Sequence, residues 1–529
     1  MTATAHRSAR TPDRAGFGLT LRSEWVKFRT VRGWVIGMLV AGLAIIALGL
    51  GPSDQGSCGT SGPSACTQTL GPGGEAVTDS FYLAGRTLDG NGAITARVTS
   101  LTGQIPDFSD TGDPDGPPKT QSGLVPWAKA GIIIKASLAP GSAYAAMMVT
   151  GDHGVRMQWD YTGDVAAPGS VASGSAASVS DTSPRWLRLV RAGSSVTGYD
   201  SADGRHWTKV ATVTLAGLPA TVRGGLFATS PPYTQLSAGQ LDLNSANSSA
   251  TGTFDQVSVA GGWHGNGWAG TAVGAQSGPA AGPAGNVTAA GGRITVTGTG
   301  DIAPSVAGAA GIGVTIAQTL IGLFAGLIAV AVIGAMFMTA EYRRGLIRVT
   351  LAATPRRWQV LAAKAVVLAA VAFAVGLVSS AVVVTMGQRV LREHGVYVWP
   401  ASGLTEARVI VGSAAMLAVA AVIALAIGAI ARRGAAAVAF VIVVIVLPYL
   451  LTVTTPLLPP GTTNWLARVT PAAAIAVQQT LVQYPQVANV YAPASGYYPL
   501  PPWAGFAVLC AWAAAALALA AYLLNRRDA

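Results

Sequence analysis

The acidic side chains between residues 53 and 310 are the first candidates for chemistry, because paired carboxylates can hydrolyse a glycosidic bond. Such hydrolysis uses two carboxyl groups about 5–10 Å apart, one as the acid and the other as base or nucleophile. This stretch contains a single glutamate, Glu75. Four of its aspartates lie in turn-like sequence or at strand ends and are typical turn formers. They are Asp152, Asp160, Asp200 and Asp203. The stretch therefore favours binding over hydrolysis.

The motifs for nucleotide and metal chemistry are missing from the sequence. No G-x-x-x-x-G-K-[ST] occurs, and the chain has no Gly-Lys pair to cradle phosphates in the P-loop manner. Of the three cysteines, Cys58 and Cys66 lie in a Gly/Ser/Pro-rich stretch and predict one small disulfide if that stretch lies outside the membrane. Cys510 lies in an apolar run and is interpreted as a packing residue. We expect no metal site and no cofactor in this chain.

The segment EYRRGLIRVTLAATPRRWQVLAAK, residues 341–364, is a charged stretch between two long apolar runs. Tyr342, Leu346 and Val349 follow the spacing i, i+4, i+7 and predict a short amphipathic helix. Gly345 weakens that helix and permits a bend or a close approach. The segment is therefore predicted to present a short basic helix beside the membrane.

The order of residues in this segment is more specific than its charge. Thr354-Pro355 predicts the N-cap and first residue of the next helix, and Trp358 lies at the depth of an interfacial aromatic belt. Positive charge alone follows from membrane topology, but it does not require Glu341, Gly345 and Thr354-Pro355 in this order. The segment is interpreted as a rigid element that docks on a cytoplasmic partner.

The composition requires a membrane to explain it. Of the 529 residues, 51% are hydrophobic and 11% are charged, with a mean hydropathy of +0.46, whereas soluble domains average about 25% charged residues. The net charge of +11 would suggest nucleic acid in a soluble protein. Here the basic residues flank the apolar runs, which is typical of cytoplasmic loops, and we expect no nucleic-acid partner.

Six apolar segments are long enough to cross about 30 Å of hydrocarbon, which predicts six transmembrane helices. The predicted division of the chain is a cytoplasmic N-terminus 1–32, a first span 33–52, an external domain 53–310 and a helical part 311–529. Within the helical part we expect spans at 313–338, 358–386, 407–431, 435–455 and 503–525, a cytoplasmic loop 339–357, and an outer loop 456–502 whose apolar middle dips toward the membrane.

Lysine and arginine near the span ends set the orientation. With six spans, the N-terminal stretch, the loop 339–357, the turn Arg432-Arg433 and the C-terminus all lie on one side, which is the cytoplasm. Arg389 and Arg392 in the loop 387–406 are exceptions on the outer face. Lys364, about one turn inside the third span, is expected to snorkel to the surface.

The N-terminal stretch FGLTLRSEWVKFRTVRGW, residues 17–34, predicts a helix lying in the membrane interface. Leu19, Leu21, Trp25 and Phe28 share its apolar face. A signal peptide is the alternative for the first run, but its basic lead is long and no clear A-x-A site follows, so we expect an uncleaved span.

The pattern of residues 53–310 indicates many short strands with regular turns, which predicts an all-β sandwich or barrel. The expected strands are 94–101, 128–137, 143–150, 155–161, 184–191, 195–201, 206–215, 224–230 and 252–259, with a closing strand within 291–304. Turn signals separate them at 151–154, 192–195 and 201–204.

The sequences WAKAGIIIKAS, PRWLRLVRAGSSVTGYDSADGRHWTKV and TFDQVSV resemble the concanavalin A-like lectin/glucanase sandwich over residues 80–260. The resemblance implies a carbohydrate-binding-like module. Because glycosidases on this fold use paired glutamates, it implies a module without catalysis. The candidate ligand-binding aromatics are Trp127, Trp159, Tyr144 and Tyr199, and the alternative for strand tryptophans is the sandwich core, which we expect for Trp186 and Trp207.

SEWVKFRTVRGW before the first span and EYRRGLIRxTLAATPRRWxVLAAK after the second resemble the permease subunits of ABC-2 type transporters, over residues 17–52 and 311–529. In that family the segment between spans two and three is a coupling helix that contacts the ATPase. The resemblance carries this role to Glu341, Arg343, Arg344, Gly345, Arg348, Pro355 and Arg356. Leu346 stands where the family commonly has threonine, and no role is assigned there.

The resemblance implies an exporter in a bacterial plasma membrane, with both termini cytoplasmic and residues 53–310 extracellular. It also implies a separate ABC ATPase subunit that binds ATP, a second permease copy or paralogue that completes a dimer, contact with membrane lipid, and contact of the external domain with cell-envelope glycan. The competing hypothesis is a membrane-anchored envelope or glycan-binding receptor that does not transport. That hypothesis predicts a cytoplasmic output domain, whereas the cytoplasmic pieces are all short. The sequence does not name the substrate.

Overall fold

The structure is a computed structural model that divides into two compact units. It describes residues 16–51, 68–109, 119–168, 179–236, 243–274, 285–307, 313–343, 345–347, 350, 356–394, 396–454, 460–487, 489, 491, 493 and 496–526. A helical unit contains Met1–Cys66, Gly313–Val482 and Tyr491–Ala529, and a β unit contains Thr67–Ile312 and Gln483–Val490.

The described part of the helical unit contains eight helices, and six of them are long and apolar enough to cross a membrane. The chain is thus a multi-pass membrane protein, as the sequence predicts. In chain order the helices are α1 (Phe17–Thr30), α2 (Arg32–Gly49), α3 (Ile316–Arg343), α4 (Arg357–Glu393), α5 (Gly403–Ala431), α6 (Gly434–Thr452), α7 (Pro460–Val469) and α8 (Pro502–Arg526), and a 3₁₀ helix, Pro471–Gln478, follows α7.

Polar caps define where the spans begin. Thr315 starts α3 with a capping box, in which its hydroxyl accepts from the Gln318 amide and the Gln318 side chain accepts from the Thr315 amide. Ser402 caps α5 by accepting from the Thr405 amide. Each cap satisfies backbone donors that have no partner within the helix.

The helical unit is centred on α5, which has the largest buried share among the six spans. Other helices of this unit approach one another closely where a glycine lies at the crossing. A Cβ at Gly322 would lie 2.4 Å from the Ile45 carbonyl oxygen of α2, and a Cβ at Gly505 of α8 would lie 2.2 Å from the Ala473 carbonyl oxygen of the 3₁₀ helix. Small residues at such crossings are how membrane helices gain close packing.

Two helices differ from their sequence predictions. The helix α4 continues to Glu393, so residues 387–393 are helical where a loop was expected. This extension is held by Gln388, which donates to Glu406 of α5 and accepts from Arg392. In α1 the buried positions are Thr20, Glu24 and Phe28, whereas Leu19 is 61% exposed. Of the expected apolar face, Phe28 and Leu21 pack on the protein, whereas Leu19 and Trp25 are exposed.

The β unit contains seventeen described strands. They are β1 (Val77–Asp79), β2 (Phe81–Pro106), β3 (Thr120–Ser122), β4 (Lys129–Lys135), β5 (Tyr144–Thr150), β6 (Val155–Trp159), β7 (Gly163–Ala166), β8 (Arg185–Ala192), β9 (Ser195–Ser201), β10 (Thr208–Thr214), β11 (Thr221–Thr229), β12 (Tyr233–Leu236), β13 (Leu243–Ala246), β14 (Ser249–Val273), β15 (Gly285–Ala290), β16 (Arg293–Gly298) and β17 (Ile302–Pro304). Every strand expected from the sequence corresponds to one of these.

A long strand, β2, joins the two layers of the sandwich. Its first half pairs with β11 through Tyr82–Asp89 and its second half pairs with β8 through Gly92–Val98. The order across the sheet is β10-β9-β8-β2-β11-β4-β5-β6-β7, and β14 runs antiparallel along the other edge of β2. Gly90 has φ +67° at the change of partner, and β14 is bulged at the matching Gly261. Glycines and bulges permit such a sharp bend in a strand.

The strands β4 and β5 are buried on both faces. Ile132 and Ile134 face the main core together with Leu187 and Leu226. The opposite face, with Ile133, belongs to a second cluster, which also includes residues of β1 and β17. The paired strands β1 and β17 thus form a cover over the back of the sheet.

Candidate functional site

The end of α3 is the start of the predicted coupling segment. The helix stops at Arg343, and Gly345 follows in a left-handed conformation with φ +68°, its amide donating to the Tyr342 carbonyl oxygen. A left-handed glycine just past the last turn is a usual helix terminus. Leu346 and Ile347 are again helical. Gly345 therefore separates two helical pieces, at the position where the sequence permits a bend.

The far end of the segment also differs from the prediction. The helix α4 begins at Arg357 with Arg356 as its N-cap, and no side chain caps it. The expected cap at Thr354-Pro355 is therefore not the start of this helix. Arg344, Arg348 and Pro355 lie outside the described residues, so their predicted coupling role stays a prediction. Of the described members, Arg343, Gly345 and Arg356 are exposed, whereas Glu341 is buried.

Glu341 belongs to a buried ionic cluster of four side chains, Glu24, Lys27, Glu341 and Lys364. The Lys364 Nζ lies 2.6 Å from Glu24 Oε2 and 2.6 Å from Glu341 Oε1. The Lys27 Nζ lies 2.7 Å from Glu24 Oε1 and 3.2 Å from Glu341 Oε1. Two carboxylates and two ammonium groups thus alternate with no net charge.

The surroundings of the cluster are largely apolar. The Lys364 and Glu24 side chains are 0% and 1% exposed, and the Lys364 ammonium lies 4.6 Å from the centroid of the Phe337 ring. Phe28 and Trp34 contact the same ring edge-on. Buried charges need such complete pairing, because an unpaired ion in an apolar setting is very costly. Lys364 therefore does not snorkel to the surface, and that expectation is wrong.

The cluster joins three elements that lie far apart in sequence. Glu24 and Lys27 come from α1, Glu341 from the last turn of α3, and Lys364 from the second turn of α4. Burial lowers the pKa of Lys27, but the hydrogen bonds and charges of Glu24 and Glu341 outweigh burial and leave that pKa above its ordinary value. Lys27 therefore stays charged at neutral pH.

Two further arginines attach the same region to the remaining spans. The Arg432 guanidinium, in the turn between α5 and α6, lies 5.3 Å from the centroid of the Tyr342 ring. The Arg357 Nη1 donates to the Leu524 carbonyl oxygen in the last turn of α8 at 2.7 Å, where a cation is favoured by the helix dipole. The segment between α3 and α4 is thus fixed at both ends to α1, α4, the α5–α6 turn and α8.

Sequence reasoning did not find Glu24 and Lys364 as members of this site. The available signal was a lone glutamate in each basic stretch, one before the first span and one before the third. Spacing within each stretch indicates only local partners. The partners are 340 residues apart in the chain, so only the packing of α1 against α4 brings them together.

In the β unit, two of the four predicted ligand-binding aromatics are buried. Tyr144 is 0% exposed and Trp127 is 5% exposed, and the Trp127 ring stacks on His153 at 3.8 Å between centroids. Neither ring presents a free face to solvent. Trp159 and Tyr199 are half-buried. The structure does not bring the four into one surface, since Tyr199 lies on β9 and the other three lie on or beside β4 to β6.

Trp186 and Trp207 lie on the outer side of the sheet. Along β8 the residues Leu187 and Leu189 are buried in the core and Trp186 alternates with them. The Arg97 guanidinium lies 5.8 Å from the Trp186 ring, and the Arg188 guanidinium lies 4.2 Å from the Trp207 ring. The expectation that these tryptophans fill the core is therefore wrong. Strand alternation puts Trp186 opposite the core, and Trp207 stacks on Arg188, which lies on the same side of β8.

Arg188 is the centre of an outer patch that also contains Thr95, Tyr199, Trp207 and Lys209. Register places Arg188 between Thr95 and Tyr199, and Lys209 beyond Tyr199. The Arg188 Nε donates to the Thr95 hydroxyl at 3.0 Å. Among the residues that the structure describes, no carboxylate forms an ion pair with Arg188 or Lys209. The outer patch thus combines aromatic surface, hydroxyls and two cations.

Three of the four candidate aspartates, Asp160, Asp200 and Asp203, have structural partners. Asp203 accepts from the amides of Arg205 and His206, and these hydrogen bonds hold the pKa of its carboxyl well below the usual range. Asp200 pairs with Arg185 at 3.7 Å, although burial raises the pKa of Asp200. Asp160 accepts from the Tyr144 amide. These contacts explain the three aspartates without a hydrolytic role.

In the described part of the chain, no group of three or more His, Cys, Asp or Glu side chains is arranged to hold a metal ion. The predicted disulfide partners Cys58 and Cys66 lie outside the described residues, so their pairing stays a prediction. Cys510 lies in α8 as a partly buried free thiol.

Comparisons with known proteins add the family. The family described as "ABC-2 family transporter protein" matches residues 170–529. No curated protein matches. A solved structure titled "The crystal structure of a functionally unknown protein from Saccharomyces cerevisiae" matches at 12% identity and a TM-score of 0.18, over 33% of this chain and 71% of that chain, and a score this low supports no statement about fold. The family match covers most of the chain and all spans but the first, so the chain belongs to the ABC-2 family of transporter proteins.

Proposed function

We propose that this chain is the membrane-spanning permease subunit of an ATP-driven exporter and that a separate ABC ATPase docks on the segment between α3 and α4. The observation that carries this proposal is the attachment of that segment. One end is held by the buried ionic cluster and the other by Arg357 on α8. A push on the segment would therefore be passed to α1, α4 and α8 together.

The exposed cations supply the docking chemistry. Arg343 and Arg356 flank the segment and are exposed, while Glu341 faces inward into the ionic cluster. This arrangement gives Glu341 an anchoring role and leaves the arginines for the partner. Such a partner binds ATP, since this chain has no P-loop sequence. A second permease copy or paralogue then completes the pathway, and the subunit sits in the bacterial plasma membrane with both termini in the cytoplasm.

Charge reversal of Arg343, Arg344 and Arg348 to glutamate is expected to abolish co-purification of the ATPase. Like charges placed across an interface cost several kcal/mol and lower affinity by orders of magnitude. The tagged full-length chain would be isolated in mild detergent, and ATP-photolabelled protein and ATPase activity would be measured in the eluate. Arg433→Glu, an exposed charge reversal in the α5–α6 turn, is the matched control and should retain both. Unchanged co-purification in the triple variant would rule out this docking segment.

We further propose that the β unit is an extracellular, concanavalin A-like carbohydrate-binding module whose binding face is the outer patch. Aromatic rings next to hydroxyls suit the apolar face and the hydroxyl groups of a sugar, and the two unneutralised cations favour an acidic glycan of the cell envelope. The missing glutamate pair and the structural roles of the aspartates support binding without hydrolysis.

Replacement of Trp207 by alanine is expected to weaken retention on an immobilised acidic polysaccharide, with polygalacturonate as the probe and dextran as the neutral comparison. Loss of the ring removes a stacking surface and the Arg188 cation–π contact, worth about 1–2 kcal/mol or roughly five- to thirtyfold in affinity. Trp268→Ala is the control, because Trp268 carries a similar contact with Arg86 at 5.3 Å elsewhere in the unit. Equal retention of Trp207→Ala and Trp268→Ala would exclude the outer patch, and no retention of the unaltered protein would exclude the module's binding role.

A further inference from the structure

The segment Gln483–Val490 belongs to the β unit, although it comes from the outer loop between α7 and α8. The chain leaves the helical unit after Val482 and returns to it at Tyr491. The β unit therefore has a third connection to the helical unit, besides those before β1 and after β17. Neither composition nor spacing predicted this connection.

Gln486 anchors this segment on the turn between β6 and β7. Its side chain is 4% exposed, and its Nε2 donates to the carbonyl oxygens of Tyr161 at 3.4 Å and Thr162 at 3.2 Å. Asp160 and Tyr161 in that turn have φ of 43° and 63°, a region that non-glycine residues rarely adopt. Gln486 therefore satisfies two carbonyl groups of a turn that needs external support.

The same turn is connected to β1, which follows the first of the three connections. The Lys135 Nζ donates to the Tyr161 hydroxyl at 3.0 Å and pairs with Asp79 of β1 at 2.8 Å. Tyr161 and Lys135 are each 1% exposed. A short chain of buried polar contacts thus runs from Gln486 through Tyr161 and Lys135 to Asp79.

Asn489 connects the segment to the part of the chain that leads toward α3. Its Nδ2 donates to the Ala307 carbonyl oxygen at 3.0 Å, and Ala307 follows β17 and is 2% exposed. Tyr484 lies within electrostatic reach of Glu75, which precedes β1. Burial is the larger cause of the raised pKa of Tyr484, and the negative charge of Glu75 is the smaller one. The segment thus interacts with both of the other connections.

We propose that Gln483–Val490 is a mechanical tether, with Gln486 and Asn489 as its positioning residues, that transmits displacement of α8 and the 3₁₀ helix to the β6–β7 turn. The 3₁₀ helix Pro471–Gln478 ends five residues before the tether, and all eight of its residues are buried. Gly505 of α8 touches this helix so closely that an added Cβ would lie 2.2 Å from the Ala473 carbonyl oxygen. A shift of α8 therefore moves the chain that leads directly into the tether.

A loop that only stabilises the β unit would make the same contacts with the β6–β7 turn, but it would not transmit displacement of α8 to that turn. In both cases, loss of the Gln486 and Asn489 hydrogen bonds loosens the turn. Only the tether makes the turn respond to a change made at α8, and only the tether makes that response depend on Gln486 and Asn489. These two readouts separate the alternatives without the ATPase partner or a substrate.

The docking test is hydrogen exchange of the full-length protein in lipid nanodiscs, followed by mass spectrometry. Gln486→Ala with Asn489→Ala is expected to speed amide exchange roughly five- to tenfold in residues 160–163 and 305–307, because the first stretch loses the two hydrogen bonds from Gln486 and the second loses the one from Asn489. Gln479→Ala removes a similar bond, from Gln479 Nε2 to the Leu481 carbonyl oxygen within the helical unit, and should leave both stretches unchanged. Equal exchange in the double variant and the unaltered protein would overturn the docking.

The transmission test uses Gly505→Ala and the larger Gly505→Leu, which force α8 away from the 3₁₀ helix. Exchange is expected to change several-fold in residues 160–163 as well as in 471–478. The change in 160–163 should disappear when Gln486→Ala and Asn489→Ala are added, while that in 471–478 remains. The tether would be overturned if exchange changed in residues 471–478 but not in 160–163. It would also be overturned if the change in 160–163 persisted after Gln486 and Asn489 were replaced by alanine.

Discussion

Lys364→Gln is expected to destabilise the helical unit by about 3–5 kcal/mol, the range for breaking a buried ion pair on one side only. The substitution leaves Glu24 and Glu341 buried together with Lys27 as their single cation. One cation cannot balance two carboxylates, and the Lys27 side chain is itself 37% exposed. The expected result is a large drop in the midpoint temperature of thermal aggregation. Size-exclusion chromatography of heated samples in detergent measures this midpoint.

The double variant Glu341→Gln with Lys364→Gln should recover much of that loss. It restores neutrality by leaving Glu24 and Lys27, already 2.7 Å apart, as one complete pair. Lys27→Gln should cost less than Lys364→Gln, because the Lys27 side chain is 37% exposed and water can enter its place, whereas Lys364 is fully buried. Arg29→Gln, on the exposed face of the same helix, is the neutral control. A double variant no more stable than Lys364→Gln would contradict the pairing.

The same variants also separate stability from coupling. If the ionic cluster fixes the docking segment, the double variant should fold but bind the ATPase less well than the unaltered chain, since Glu341 no longer holds α3 to α1 and α4 by charge. Co-purified ATPase activity per folded permease measures this difference. Full activity with a recovered melting midpoint would limit the cluster to a stabilising role.

Lys135→Met in the β unit is the second substitution with a large expected effect. The Asp79 side chain is 0% exposed and would keep the Gly141 amide, at 2.9 Å, as a hydrogen-bond donor but would lose the cation that pairs with it. Burying that carboxylate without its cation is expected to cost about 3–5 kcal/mol. The measurement is hydrogen exchange of the β4 and β5 amides in the full-length protein, which reports the free energy of opening.

A conservative second change tests the cause of this effect. Asp79→Asn together with Lys135→Met removes both charges and should recover most of the opening free energy, because a neutral amide costs far less to bury than a carboxylate. Lys209→Met on exposed β10 should stay within about 0.5 kcal/mol of the unaltered protein. A double variant that opens as easily as Lys135→Met would show that the lysine stabilises through packing and not through its charge.

Local patterns were sufficient to predict the elements of both units. Runs of apolar residues predicted the six spans to within a few residues at most ends, and alternation with turn signals predicted the strands. The extension of α4 to Glu393 is an exception with a physical cause, because Gln388 pairs there with Glu406 and Arg392. Those contacts are not contained in the apolar pattern. The bend permitted at Gly345 occurs as a left-handed residue just after α3.

The sequence by itself determined the fold class and the resemblance to the family, because hydrophobic period and motif order are properties of short stretches. Tertiary structure decided which charges meet. The position of Lys364 near a helix end is consistent with snorkelling, but the packing of α1 places Glu24 Oε2 2.6 Å from the Lys364 Nζ. It also decided which side of the sheet Trp207 occupies and that Gln486 joins the β unit. These pairings link residues up to 340 positions apart, and only the packing of whole elements, which no local period encodes, brings them within hydrogen-bonding distance.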